Sequence, residues 1–152
     1  MTDNSQLPDD QLPDELPPLS WTLTQEQIDA YAAVAGADDP IHVDPEFAKQ
    51  GPLGGTIGQG FLLFAVMAEQ ISRGLKHPES WLSNGALDVR FRAPARPGDR
   101  LTMRAVRAGN NEDTDDGVAT YDVWCEGPDG QHLIAGTTDI PLAAFATDRV
   151  CH

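Results

Sequence analysis

From Phe61 through Ala68 the chain is apolar without a break, and Ile71 and Leu75 extend the run before Pro78 ends it. A helix apolar nearly all round has no face to offer water, so the sequence predicts a buried helix here. Beyond Pro78 the apolar period drops from about 3.6 to about 2, the mark of strands. Leu87, Val89 and Phe91 alternate with Asp88, Arg90 and Arg92; Leu101, Met103 and Ala105 form a second such set, and Tyr121, Val123 and Cys125 a third. Pro94, Pro97 and Gly98-Asp99 turn the chain between the first two, and Pro128-Asp129-Gly130 makes a hairpin into a fourth strand over 132–140. A buried helix and such strands can both hide their apolar faces only if the sheet wraps around the helix. The expectation is an α+β domain with five or six antiparallel strands.

Upstream, Thr24 with Gln27 three residues later reads as a capping box. It opens a helix carrying Ile28, Tyr31, Ala32 and Ala35 on one face and stopping at Gly36. The segment 36–48 contains two prolines and is expected to be a structured loop, with Asp44 and Pro45 starting a very short helix. Five glycines crowd residues 51–60. They do not form a phosphate loop, which needs a Gly-Lys-Ser/Thr ending.

With 152 residues and 40% apolar content, the chain can build one core and is too short for two ordinary domains. Residues 1–18 are acidic and Pro-rich with no basic residue, so the reading is a tail outside the core and a folded domain over 19–152. No stretch is apolar and long enough to span a bilayer, and the N-terminus lacks a leader pattern, which places the protein in the cytoplasm and off the membrane. The formal charge of −14 is concentrated in that tail and in Glu112, Asp113, Asp115 and Asp116; without those nine acids fifteen acidic residues face ten basic ones, leaving −5. Nucleic acid is excluded as the main partner. Arg90, Arg92, Arg96, Arg100, Arg104 and Arg107 fall in one stretch, either a local cationic patch or a solvated sheet face. Cys125 and Cys151 read as free thiols, and His42, His77, His132 and His152 are scattered singly, so no metal site is expected.

The segment 31–48 resembles the signature of the MaoC-like, R-specific enoyl-CoA hydratase family. That signature is an aromatic residue, then Ser/Thr-Gly-Asp-x-Asn-Pro-(Ile/Leu)-His, then Ala or Ser. Tyr31, Gly36, Pro40, Ile41, His42 and Ala48 stand at the matching places. The resemblance continues in Gly58-Gln59-Gly60 ahead of the apolar helix and in Arg90-Phe91-Arg92-Ala93-Pro94 with Pro97-Gly98-Asp99. It departs at the catalytic carboxylate: the family's Asp, five residues before the His, is Ala37 here, and its Asn is Asp39.

The resemblance implies a single hot-dog domain, an antiparallel sheet around a central helix, acting as a hydro-lyase on an acyl thioester. The chemistry is addition or removal of water across the 2,3 double bond of an enoyl group on CoA or a carrier protein, with no cofactor beyond the thioester substrate. On this reading His42 moves protons, Asp39 either replaces the missing carboxylate or caps a turn, and the Gly60 N–H receives the charge on the thioester oxygen. Gln59 either contacts substrate or lines the wall; Asp38, Gly58, Arg90 and Arg92 are candidate substrate contacts. The assembly expected is a homodimer joined at a sheet edge, or a hetero-oligomer with another hot-dog subunit. Two alternatives stand beside the hydratase. One is a non-catalytic or half-catalytic hot-dog subunit that binds acyl-CoA; the other is a different thioester reaction, hydrolytic or lyase, on the same scaffold.

Overall fold

The computed structural model of the protein describes residues 12–109 and 117–147. The elements run β1 (Glu15–Thr22), α1 (Gln25–Ala35), α2 (Pro40–Val43), α3 (Pro45–Gln50), α4 (Gly60–Arg73), α5 (Pro78–Asn84), β2 (Ala86–Phe91), β3 (Arg100–Arg107), β4 (Val118–Glu126), β5 (His132–Pro141) and a closing 3-10 turn, Leu142–Phe145. The five strands form one antiparallel sheet in the order β1-β3-β4-β5-β2. Leu101, Met103 and Ala105 on β3 and Tyr121, Val123 and Cys125 on β4 point to one side, where α4 lays Leu63, Met67 and Ile71 against them in a shared core. This is the sheet around a helix expected from the change of period, and the hot-dog domain that the resemblance implies.

Two expectations need correction. The boundary at residue 18 is wrong for residues 12–18: Leu12 and Leu16 are buried, and β1 begins at Glu15 and pairs with β3 from Glu15↔Val106 to Thr22↔Arg100. Leucines that looked too few to offset ordering entropy gain it from a core built by distant strands. Pro17-Pro18 are accommodated because β1 is an edge strand, paired on one side alone, and its register shifts between Leu16 and Leu19. Residues 1–11 lie outside the described residues, as do the acidic loop 112–116 and Cys151. The second correction concerns α4. It is buried on one side only; Phe61 is 70% exposed on the other, beside Phe91 at 52%. One sheet covers one flank of a helix, and the second apolar flank faces outward.

Local chemistry elsewhere fits the sequence closely. Thr24 and Gln27 form the reciprocal capping box, and Gly36 ends α1 at φ 67°, in the left-handed region glycine tolerates best. Asp44 caps α3 by accepting from the Phe47 N–H at 3.1 Å. Gly130 takes a positive φ in the hairpin between β4 and β5. Among the described residues no helix is long and apolar enough to cross a membrane.

Two buried acids make the core sensitive to alkali. Burial pushes the Tyr121 phenol from its ordinary 10.0 up to about 12, with Asp14 adding to the rise and Arg107 opposing it. Burial, aided by Glu126, likewise pushes the Cys125 thiol from 9.0 to about 12. Both groups hold their protons longer in the folded chain, so the unfolded chain binds fewer protons above pH 9 and stability falls as pH rises from there to about 12. Urea midpoints across that window should decline steadily, and less steeply in Cys125→Ala.

Candidate active site

The site is assembled from the two irregular stretches that precede the core helix, on either side of α3. Pro40 presets the first turn of α2, and Asp39 caps it by accepting from the Ile41 N–H at 3.2 Å. This turn presents His42, whose Nδ1 lies 2.9 Å from the carbonyl oxygen of Ile57. A carbonyl can only accept, so in the neutral ring the proton sits on Nδ1 and Nε2 carries the lone pair. The Ile57 N–H donates in turn to the Ile41 carbonyl at 3.3 Å, tying the two stretches together.

Gly60 opens α4. The helix has no side-chain cap, and the first N–H groups of a helix lack intrahelical acceptors, so the N–H of Gly60 is free to meet a ligand at the positive end of the helix dipole. A Cβ at Gly60 would sit 3.0 Å from the Phe91 ring, and one at Gly58 3.0 Å from Leu23 and 3.2 Å from Leu63. Both glycines therefore let the backbone lie against the cavity walls. The cavity itself, about 340 Å³, is lined by His42, Gly58, Gly60, Leu63, Phe91 and Arg92 among others, and its walls are chiefly apolar.

Of the residues singled out from sequence, His42, Gly58, Gly60 and Arg92 meet at this cavity. Asp39 and Asp38 do not line it. Asp39 is exposed and its carboxylate is engaged as the α2 cap, the turn-forming role its position allows, so it and His42 are not brought to face one space. Gln59 is buried behind the site: its Nε2 donates to the carbonyls of Ile28 at 3.0 Å and Ala37 at 3.3 Å, holding α1 and the 36–39 loop to the start of α4. It is a structural clamp instead of a lining residue. Arg90 is exposed on β2 and is not part of the lining. The arginines do not act as one patch, since Arg104 is paired with Glu15 at 2.7 Å on the far edge of the sheet.

A helix laid across an antiparallel sheet, with a histidine and a helix N-terminus lining one apolar cavity, defines a hot-dog protein. The MaoC-like domain model matches residues 10–124, and the chain belongs to that family. The 3-hydroxyacyl-thioester dehydratase Z of Mycobacterium tuberculosis strain H37Rv is 35% identical over 90 residues, covering 58% of this chain and 60% of that protein. The match thus spans three-fifths of the relative's length. Among solved structures, the R-hydratase PhaJ1 from Pseudomonas aeruginosa superposes with a TM-score of 0.72 at 18% identity, over 88% of this chain and 81% of that one. The ChsH1-ChsH2 complex from Mycobacterium tuberculosis gives 0.68 at 14% identity, over 84% and 94%.

Proposed function

We propose that the protein is an acyl-thioester hydratase or dehydratase, adding or removing water at the 2,3 double bond of an enoyl group carried on CoA, in the cytoplasm. The observation that carries this reading is that His42, its Nδ1 engaged by the Ile57 carbonyl, and Gly60, the first residue of α4, line one apolar cavity. In the hydration direction Nε2 takes a proton from water as the water oxygen bonds to carbon 3. The electron pair of the double bond moves through carbon 2 toward the thioester oxygen, and the Gly60 N–H stabilises the charge there. Carbon 2 then takes the proton back from Nε2. A single imidazole on one face doing both steps makes the addition syn. The chemistry needs water and the thioester and no further cofactor.

The similarity to the dehydratase of Mycobacterium tuberculosis supports this reading. Loss of absorbance at the enoyl-thioester band on mixing the protein with crotonyl-CoA tests it. A second reading has its own support: among the described residues no carboxylate lines the cavity. On that reading the chain works beside another hot-dog subunit, as the complex among its structural neighbours is itself a pair. The exposed aromatic flank of Phe61 and Phe91 suits such a contact. Activity absent from the protein alone and gained with a second hot-dog subunit would select it. Thiol release without loss of the double bond would instead show thioester hydrolysis.

The presence of Arg92 in the cavity lining supports a role for it in meeting the phosphates of CoA. Arg92→Ala should weaken CoA-ester binding more at low than at high salt, measured by titration calorimetry at two ionic strengths. Equal affinities in both would remove it from the phosphate site.

A further inference from the structure

The side chain that opens α1 touches both sides of the His42 pairing. Gln25 Nε2 donates to the backbone carbonyl of His42 at 2.7 Å and to Asp29 Oδ1 at 2.9 Å, while its Oε1 accepts from the Thr56 hydroxyl at 2.6 Å. The His42 carbonyl can only accept, so the orientation of the amide is fixed. Thr56 is 8% exposed and immediately precedes Ile57, whose carbonyl takes the Nδ1 proton of His42. A closed ring of contacts results: Gln25 to the His42 backbone, His42 ring to Ile57, and the neighbouring Thr56 back to Gln25.

We propose that Gln25, acting through Thr56, is a positioning residue that holds the His42 imidazole in its Nδ1–H tautomer. The idea rests on reading His42 as the proton carrier. Two physical points support it. The tautomer of a neutral imidazole is set by the hydrogen bond its other nitrogen makes, so the placement of the Ile57 carbonyl decides which nitrogen is left as base. And α2 is a single turn of four residues, too short to hold itself, so its geometry is imposed from outside. Gln25 is anchored on the eleven-residue α1 and is the side chain that spans both stretches.

Nitrogen-15 correlation spectra of the imidazoles, with the His42 signals assigned by their loss in His42→Ala, read this directly. In the native protein Nδ1 should appear protonated and Nε2 unprotonated. In Gln25→Ala and Thr56→Val the two shifts should move toward each other as the tautomers mix, and Thr56→Ser should restore them. In the crotonyl-CoA assay the same two variants should lower kcat by roughly ten- to a hundredfold, since small misplacements of a reacting group cost that much. KM should change less than about twofold, because substrate contacts stay in place. Native imidazole shifts in folded Thr56→Val, which removes only a hydroxyl bond, overturn the proposal even if Gln25→Ala does not fold. A native protein without hydratase activity would sink the functional reading, while the spectra would still decide this one.

Discussion

Hydration of crotonyl-CoA by His42→Ala is expected to run roughly a hundred- to ten-thousandfold slower than by the native protein, the usual worth of a general acid–base group. The fold should survive. Among the described residues the ring bonds to the Ile57 carbonyl, and losing that bond costs about 1 kcal/mol. Circular dichroism melts alongside initial rates separate the two effects. Asp39→Asn provides the contrast: asparagine caps a helix as well as aspartate, so both rate and melting temperature should stay near native. A collapse of turnover in Asp39→Asn, with the fold intact, would return that carboxylate to the mechanism against its role as the α2 cap.

The largest effect on stability is expected at Gly136, in the middle of β5. It pairs with Val89 of β2, and a Cβ built there would overlap the carbonyl oxygen of Asp88 and lie 2.7 Å from the Val89 Cα. Backbone is on the other side of that clash, so no side-chain rotation can relieve it. Gly136→Ala must push β2 off the sheet, and a loss of about 3 kcal/mol or more follows, at the severe end for one added methyl. β2 leads directly into Phe91 and Arg92 at the cavity, so the same change should also raise KM for the thioester. Native-like denaturant midpoints for Gly136→Ala would show that the two strands can separate without cost.

What sequence revealed and what it hid divide along one physical line. Features governed by a few adjacent residues were legible: the capping box of Thr24 and Gln27, the glycine stop at Gly36, the alternation of Leu101, Met103 and Ala105. β1 was not, because Glu15–Thr22 carries Pro17-Pro18 and is held through Leu16 meeting residues about 45 to 90 positions away, in α4 and β3. The burial of α4 was over-read for a related reason, since an apolar run says how many faces avoid water but not what covers each. In the site, the motif around His42 pointed to the right loop. It did not reveal whether Asp39 turns inward, for an Asx side chain serves a cap or a site with the same letters. The clamping role of Gln59 and the contacts of Gln25 had no local signal: the first exists only where α1, the 36–39 loop and the start of α4 converge, the second only where α1 meets α2 and Thr56.

The prolines of β1 also bear on how many copies can join. A sheet grows by adding a strand to an edge whose N–H groups are unpaired, and this sheet has two edges, β1 and β2. Pro17 and Pro18 have no N–H to offer, and the shifted register bends the strand at that point, so β1 is a poor template. β2 contains no proline and runs beside the exposed Phe61 and Phe91. Two copies joined through β2 put a proline-bearing strand at each end of the combined sheet. Were two copies to join in that way, assembly along the sheet direction would end at a pair related by twofold symmetry and would not propagate as a filament.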